Sequence, residues 1–195
     1  MTDSDTSPDD SELMARLQGG DDRALTVLMD RWQIPVRRFI YRSLNNEADA
    51  LDLAQETFVR VYIHRAKFCS GAKFSTWLFS IAHNLCRDGI RRRKVRPSIS
   101  LDEAGLAAAS DRSADPSGTA PDSDLVRAET AQTVRSAVEA LPEPLKTAVL
   151  LCEYEDMSLT EAAGVVGCSA KAVETRLYRA RALLRESLAV FFKKT

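Results

Sequence analysis

The chain has 195 residues, of which 45% are hydrophobic and 28% charged, and its formal net charge is -1. This length allows one ordinary domain or two small ones, and the composition is that of a soluble globular protein. No apolar run is long enough to span a bilayer. The acidic, polar N-terminus is unlike a secretory signal peptide, so we expect a cytoplasmic protein with no membrane insertion.

Charge is concentrated in blocks. Residues 87–96 carry six bases against Asp88, and residues 169–185 carry five bases against Glu174. The segments 1–12 and 97–124 are acidic instead. Two separate basic blocks in a neutral chain favour two contacts with a polyanion, although either block alone would also fit a solvated helix face.

The pattern of helical and irregular segments predicts an all-α protein made of two small helical domains joined by a flexible linker. Apolar residues recur at helical spacing on both sides of a stretch rich in proline, serine and aspartate, which buries too little apolar surface to repay its ordering. The predicted units are a disordered acidic tail at 1–10, a helical domain at 11–96, the linker at 97–124 and a second helical domain at 125–195.

The first candidate site is an amphipathic helix that begins at about residue 49. Its apolar residues predict a buried stripe made of Leu51, Ala54, Phe58, Val61 and Tyr62. A second face carries acids and an amide, which suits docking to a basic protein surface: Asp49, Asp52, Gln55 and Glu56. In an isolated helix, the same face would more simply be a solvated surface.

A loop that mixes lysines with aromatic residues follows, and a helix with a basic end comes after it. Single-stranded nucleic acid needs phosphate neutralisation and flat rings for stacking, so this segment is a candidate single-strand site. We expect one or two of its three rings to face the nucleic acid and the others to face the core. The candidate residues are Phe68, Lys73, Phe74, Trp77, Asn84, Arg87, Asp88, Arg91 and Arg92.

Residues 158–185 predict a helix-turn-helix. Ser158 and Glu161 have the spacing of a capping box, Gly167 suits the left-handed end of a helix, and Ser169 can cap the next helix. Such a second helix enters the major groove of duplex DNA. A helical hairpin with a basic outer face is the alternative. The candidate DNA contacts are Ser169, Lys171, Glu174, Thr175, Arg176, Tyr178 and Arg179.

No catalytic or metal chemistry is indicated. The four cysteines form no CxxC pair and the two histidines complete no zinc spacing, so we interpret the cysteines as buried or half-buried thiols of a reducing compartment. Asp52 and Glu56 alone supply too few oxygens for a hard cation. Without a phosphate loop or a nucleophile–base pair, we expect no enzyme activity, cofactor or small-molecule substrate.

Taken together, these motifs resemble the sigma-70 superfamily of bacterial RNA polymerase sigma factors, and within it the extracytoplasmic-function group. Helix 49–62 is similar to conserved region 2, as are the segments from Phe74 to Ala82 and from Asn84 to Arg92. The segment from Leu141 to Leu184 is similar to conserved region 4. The chain departs from the family pattern at Ala162–Ala163 and at Glu174.

The resemblance implies a function in transcription initiation at stress or envelope-response promoters. Region 2 would dock on the clamp helices of the polymerase beta-prime subunit and would melt and read the minus-ten element. Region 4 would read the minus-thirty-five element and contact the beta flap. An anti-sigma factor is a further expected partner. The competing interpretation is a helix-turn-helix regulator that binds duplex DNA without polymerase, and this leaves the acidic face and the aromatic loop unexplained.

Overall fold

The computed structural model describes residues 8–95 and 121–192, with side chains described over 8–92 and 128–189. Within these ranges the chain forms α-helices, one 3₁₀ turn at Arg65–Lys67 and one π turn at Leu150–Tyr154, and no strand. The helices are α1 (Asp10–Gln18), α2 (Arg23–Leu44), α3 (Glu47–His64), α4 (Phe74–Val95), α5 (Pro121–Glu139), α6 (Glu143–Val149), α7 (Leu159–Val166) and α8 (Ala170–Phe192).

This architecture confirms the predicted all-α fold with two helical halves. α5 begins at Pro121, inside the segment predicted as linker, and α1 begins at Asp10, inside the predicted tail. The remainder of the tail prediction, at residues 1–7, and most of the linker prediction, at 96–120, lie outside the described residues.

Two consecutive asparagines make the turn between α2 and α3. Asn45 takes a left-handed conformation with φ of 51°, which asparagine tolerates better than most residues and which ends α2. Asn46 is the N-cap of α3, where its side chain accepts a 2.9 Å hydrogen bond from the backbone of Asp49. The direction of α3, and of the acids on it, is therefore set by local hydrogen bonding.

Aromatic packing joins α2 to α4 in the N-terminal half. The rings of Phe39 and Phe79 meet edge to face at 5.3 Å between centroids, and Trp32 lies 6.2 Å from both Phe74 and Phe79. Such pairs contribute about 0.5–1.5 kcal/mol each beyond their area burial. This cluster fixes α4 against α2 and so holds the basic end of α4 in place.

In the C-terminal half, the helix that starts as α6 widens into the π turn. Leu150 and Leu151 are buried there, and the backbone N–H of Glu155 donates to the carbonyl of Leu150 at 3.1 Å. A π turn holds more residues than an α turn and changes the direction of the side chains after it. Tyr154 at its end is partly exposed and faces the N-terminal half.

The two halves pack against each other. The ammonium of Lys146 donates to the carbonyl of Ser43 at 3.1 Å, and the guanidinium of Arg42 lies 4.4 Å from the ring centroid of Tyr154. Their buried apolar residues form one continuous cluster, and α7 lies on α4. Periodicity within each half gave no indication of this contact.

Candidate nucleic-acid and protein interfaces

The turn between α7 and α8 has the geometry that its sequence predicts. The side chain of Ser158 accepts from the backbone of Glu161, and the Glu161 carboxylate accepts from the backbone of Ser158 at 2.8 Å. Gly167 ends α7 with φ of 72°, and the Ser169 hydroxyl accepts from the N–H of Ala172 at 3.2 Å. These caps satisfy helix-end amides and fix the crossing of α7 and α8.

α8 buries one face and exposes the other. Val173, Leu177 and Ala180 are buried and Leu184 is half-buried, as the spacing predicts. The candidate DNA contacts are on the remaining surface. Ser169, Lys171, Glu174, Thr175, Tyr178 and Arg179 are exposed and Arg176 is half-buried.

Charge on the exposed face of α8 is uneven. Lys171 and Glu174 form a 2.9 Å ion pair, and the hydrogen bond to the Glu174 carboxylate raises the pKa of Lys171. Tyr178 is 77% exposed, which is unusual for an aromatic side chain in a folded protein and leaves its ring free for a ligand. Arg179 beside it is exposed as well. The surface best suited to DNA is thus the middle of α8.

The aromatic loop corrects part of the sequence interpretation. Phe68 is 6% exposed and Phe74 is 2% exposed, and both pack against each other at 6.1 Å and against Trp77 at 5.4 and 6.3 Å. Burial on this scale leaves no ring face for a base, so Phe68 and Phe74 are core residues here. Trp77, which is half-buried, is the one ring of the three that remains partly accessible.

The exposed part of the loop consists of backbone and a charged side chain, and not of the aromatic rings that we expected there. Residues 69–73 are all exposed, and Gly71 takes φ of 98°, a conformation that favours glycine. The amide of Gln18 anchors the start of the loop by donating to the carbonyls of Arg65 and Phe68 at 2.8 and 2.9 Å. Lys73, at the end of the loop, lies 2.8 Å from Glu161 of α7.

The outer surface of α4 carries the remaining single-strand candidates. Asn84, Arg87, Arg91 and Arg92 are exposed, and Asp88 is half-buried with its carboxylate 3.5 Å from Arg91. His83 on the same helix is buried, and this desolvation lowers its pKa, so the imidazole is neutral at physiological pH. The exposed arginines therefore give α4 its positive surface.

α3 exposes apolar residues that sequence reasoning placed elsewhere or missed. Leu51, predicted as buried, is 48% exposed, and Val59 and Ile63 are also exposed. Together with Gln55 they recur every four residues, which puts them on one face, and this spacing was the signal that could have identified them. We call Leu51, Gln55, Val59 and Ile63 the α3 stripe.

The predicted acids flank the α3 stripe. Asp52 is exposed, while Asp49 and Glu56 are half-buried and Glu56 forms a 2.8 Å ion pair with Arg60. Exposed apolar residues in a row, bordered by charge, mark a protein-binding surface more often than a solvated one. Ala54, Phe58 and Val61 are buried and Tyr62 is half-buried, as expected.

The cysteines differ in exposure. Burial raises the pKa of Cys86 to about 12 and also raises that of Cys152, so both remain protonated and unreactive at neutral pH. Cys168 is half-buried, whereas Cys69 in the loop is exposed, contrary to the expectation of four buried or half-buried thiols. Among the described residues, no group of three or more histidine, cysteine or acidic side chains is placed to hold a metal ion.

Glu155 gives the contact between the halves a pH dependence. Burial raises the pKa of this carboxyl to about 7, although the positive charges of Arg42 and Arg38 act to lower it. Between the ordinary carboxyl pKa and 7 the folded chain keeps a proton that the unfolded chain has lost, so this group's contribution to stability falls as pH rises through that window. Compared with the wild type, Glu155→Gln is expected to be more stable at pH 8, by about 1–2 kcal/mol allowing for solvent screening.

Urea unfolding of both proteins at pH 5 and pH 8 measures this difference. Other titrating groups cancel in the comparison, so the advantage of Glu155→Gln should shrink or vanish at pH 5. An equal advantage at both pH values would contradict the raised pKa.

Comparison with known proteins covers both halves. The family model of Sigma-70 region 2 matches residues 28–96, and that of Sigma-70, region 4 matches residues 131–184. The first match contains α3, the loop and the whole of α4, and the second contains α7 and α8 as far as Leu184. Within the residues that the structure describes, no helix is long and apolar enough to cross a membrane.

Curated relatives match over nearly the full length. The chain is 33% identical to the ECF RNA polymerase sigma factor SigW of Bacillus subtilis, over 89% of this chain and 93% of that protein. It is 31% identical to the RNA polymerase sigma-H factor of Pseudomonas aeruginosa, over 94% and 95%.

Two solved structures share the fold. CnrH in complex with the cytosolic domain of CnrY aligns with a TM-score of 0.67 and 28% identity, over 93% of this chain and 97% of that one. The sigma factor RpoE in complex with the anti-sigma factor NepR from Bartonella quintana also gives 0.67, with 23% identity over 85% and 96%. The latter likeness concerns the fold alone.

Proposed function

Because the chain belongs to the sigma-70 family of RNA polymerase sigma factors, in its ECF group, we propose a specific assignment of its surfaces to polymerase and promoter. Members of this family are transcription initiation factors, which are not enzymes. The protein is a sigma factor that joins core polymerase and directs it to promoters. We further propose that the chain itself catalyses no reaction and acts in the cytoplasm.

Polymerase docking is assigned to α3. In the α3 stripe, Leu51, Val59 and Ile63 supply exposed apolar side chains, and Asp52 beside the stripe supplies negative charge. An apolar centre with a charged rim is the usual anatomy of a protein interface. The partner surface is the pair of clamp helices of the beta-prime subunit, and the C-terminal half adds a contact with the beta flap.

Upstream promoter recognition is assigned to α8, and the observation that carries it is the exposed, capped second helix of the helix-turn-helix. Its middle offers an arginine and an unusually exposed tyrosine, Arg179 and Tyr178. A helix held in this way places side chains at base edges and phosphates of the major groove. The minus-thirty-five element is its target.

Downstream recognition is assigned to the exposed loop 69–73 and to the outer surface of α4. Lys73 and the arginines of α4 neutralise phosphates, and the exposed backbone around Gly71 allows close approach of a strand. Trp77 is the ring best placed to stack on an unpaired base of the minus-ten element, because Phe68 and Phe74 are buried.

Transcription with purified core polymerase tests the function. The full chain with core enzyme is expected to give transcripts that start at defined sites on genomic DNA, and core enzyme alone is not. Sequencing the RNA ends identifies the promoters, which we propose belong to a stress or envelope-response regulon. Duplex binding without any specific initiation would favour the alternative, a regulator that acts without polymerase.

Arg179→Ala is expected to weaken binding to a minus-thirty-five duplex by about 1–3 kcal/mol if the guanidinium reads a base, with the loss confined to certain sequences. If Arg179 contacts only phosphate, the loss is nearly uniform across sequences and the salt dependence falls. Binding titrations at two salt concentrations separate these cases. No loss on any sequence contradicts the assignment of α8.

An anti-sigma partner is also proposed, on the ground of family membership. CnrH, a structural relative with 28% identity, is bound by the cytosolic domain of CnrY in its solved complex. Co-purification from the source cells, with the full chain as bait, tests whether a partner of this class binds here in competition with core polymerase.

A further inference from the structure

A cavity lies between α2, α5 and the π turn, where the two halves meet. Its volume is about 320 Å³, within the range of about 300–1,000 Å³ that is typical of small-molecule sites. α2 contributes Arg38, Tyr41 and Arg42 to its wall, α5 contributes residues between 131 and 139, and the π turn contributes Tyr154. None of these residues belongs to the α3 stripe, to the loop or to the surfaces of α4 and α8 assigned above.

The wall of this cavity carries an excess of positive charge. Three arginines line it, Arg38, Arg42 and Arg135, against one acid among the described lining residues, Glu139. The Glu139 carboxylate lies 3.5 Å from the side-chain amide nitrogen of Asn45. Arg135 is half-buried, and it forms no ion pair with any acid in the described ranges 8–92 and 128–189. This charge favours an anionic ligand.

Glu155, directly after the π turn, offsets the arginines only in part. It is half-buried, and burial raises its pKa to about 7, while Arg42 and Arg38 act to lower it. At neutral pH this carboxyl is partly protonated, so it does not neutralise both guanidinium groups. Arginine presents a planar fork of donors that matches carboxylate and phosphate groups, which are the anions that such a cluster holds best.

The rest of the wall is aromatic and apolar. Tyr41 is half-buried, and the ring centroid of Tyr154 lies 4.4 Å from the Arg42 guanidinium. Val134 is half-buried and Val138 is buried, so the part of the wall that α5 contributes is partly apolar. A bare inorganic ion would leave these surfaces in water, whereas a planar aromatic group covers them.

We propose that this cavity is a binding site for a small aromatic anion, a ring system that carries one carboxylate or phosphate group. The anionic group contacts Arg38 and Arg135, and the ring packs against Tyr41 and Tyr154. Because α2 lies in one half and α5 in the other, such a ligand contacts both halves at once. Its binding stabilises the folded chain by an amount that grows as its concentration exceeds the dissociation constant.

Isothermal titration calorimetry of the full chain with matched probes tests the site. Benzoate combines a ring with a carboxylate, and adenosine monophosphate combines a ring system with a phosphate. Benzyl alcohol supplies a ring without charge, and inorganic phosphate supplies an anion without a ring. We expect benzoate or adenosine monophosphate to bind at least about tenfold more tightly than both single-feature probes, and the tighter of the two identifies the class of ligand. If neither binds more tightly than the single-feature probes, the cavity is not a site for an aromatic anion.

Three variants locate the bound probe. Arg135→Gln removes one positive charge from the wall and should weaken binding of the tighter probe by about tenfold or more. Tyr154→Leu removes a ring and should weaken it as well. Arg37→Gln is the control, because it neutralises an exposed arginine of α2 that does not line the cavity, and it should bind like the wild type.

Circular dichroism and thermal unfolding of each unliganded variant ensure that folded chains are compared. Wild-type affinity in Arg135→Gln, or an equal loss of affinity in Arg37→Gln, would place the ligand outside the cavity and overturn the proposal. The calorimetric result does not depend on the assignment of any surface to polymerase or promoter DNA.

Discussion

Phe74→Ala is expected to destabilise the N-terminal half by about 3–5 kcal/mol, a large part of the stability of a small domain. Phe74 is 2% exposed and its ring contacts those of Trp32, Phe68 and Trp77. Truncation leaves a cavity in the middle of this aromatic cluster, which cannot collapse without moving α2 or α4. Chemical denaturation of the purified chain, followed by circular dichroism, measures the loss.

Lys73→Ala, at the neighbouring position in the chain, is the matched comparison. Its side chain is 63% exposed, so its stability should change by no more than about 0.5 kcal/mol. Permanganate footprinting of promoter DNA bound by the chain and core enzyme detects unpaired thymines. Loss of reactive thymines in Lys73→Ala would indicate a DNA contact, whereas the same loss in Phe74→Ala would indicate unfolding. A Phe74→Ala protein as stable as the wild type would contradict the buried position of the ring.

Val59→Glu is expected to weaken binding to core polymerase by at least about thirtyfold, equivalent to about 2 kcal/mol, the loss typical of a central interface residue. Val59 lies inside the α3 stripe, between Leu51 and Ile63, and is 50% exposed. A carboxylate there must be desolvated when the partner docks, but in the free chain it remains in water. Core binding therefore falls while folding stability changes little. Fluorescence anisotropy of the labelled chain titrated with core enzyme measures the affinity.

Ala15→Glu, an equivalent change on the exposed surface of α1, serves as the control and should leave the affinity unchanged. Asp52→Arg separates charge from apolar contact, since it preserves the α3 stripe and reverses the charge beside it. Its effect should be smaller and should decrease as salt is added. Wild-type affinity in Val59→Glu would remove α3 from the polymerase interface.

The features that the sequence predicted well depend on local chemistry. The capping box at Ser158, the left-handed Gly167 and the N-cap at Ser169 each involve side chains within a few residues of the backbone they satisfy. Helical spacing likewise predicted the buried residues of α8, because its apolar residues form a single face and that face packs on a single core. The all-α fold followed from the same periodicity.

The aromatic loop was harder because two different roles use the same residue types. A ring that stacks on a base and a ring that fills a core have the same composition and spacing, and only the neighbouring rings decide between them. Phe74 meets Trp32 of α2, which is far away in the chain, and Phe68 packs on Phe74 and is buried with it. Leu51 shows the reverse error, since helical spacing placed it in a stripe that the fold leaves exposed.

The contact between the halves had no sequence signal of the kind that periodicity detects. It depends on matching surfaces: Lys73 opposite Glu161, and Gly164 opposite Thr76. Each of these residues has an ordinary explanation within its own half, as a loop lysine, a capping glutamate or a helical glycine. Only the three-dimensional arrangement shows that they meet.

The π turn at Leu150–Tyr154 makes this part of the chain tolerant of a one-residue change in length. A π turn holds one residue more than an α turn. Deleting one residue there would therefore let the segment close as a regular α-helix, while the residues before and after it keep nearly the same direction. Tyr154 would then keep its contact with the Arg42 guanidinium. A one-residue gap at this point in an alignment of relatives would thus be compatible with both DNA recognition and this contact between the halves.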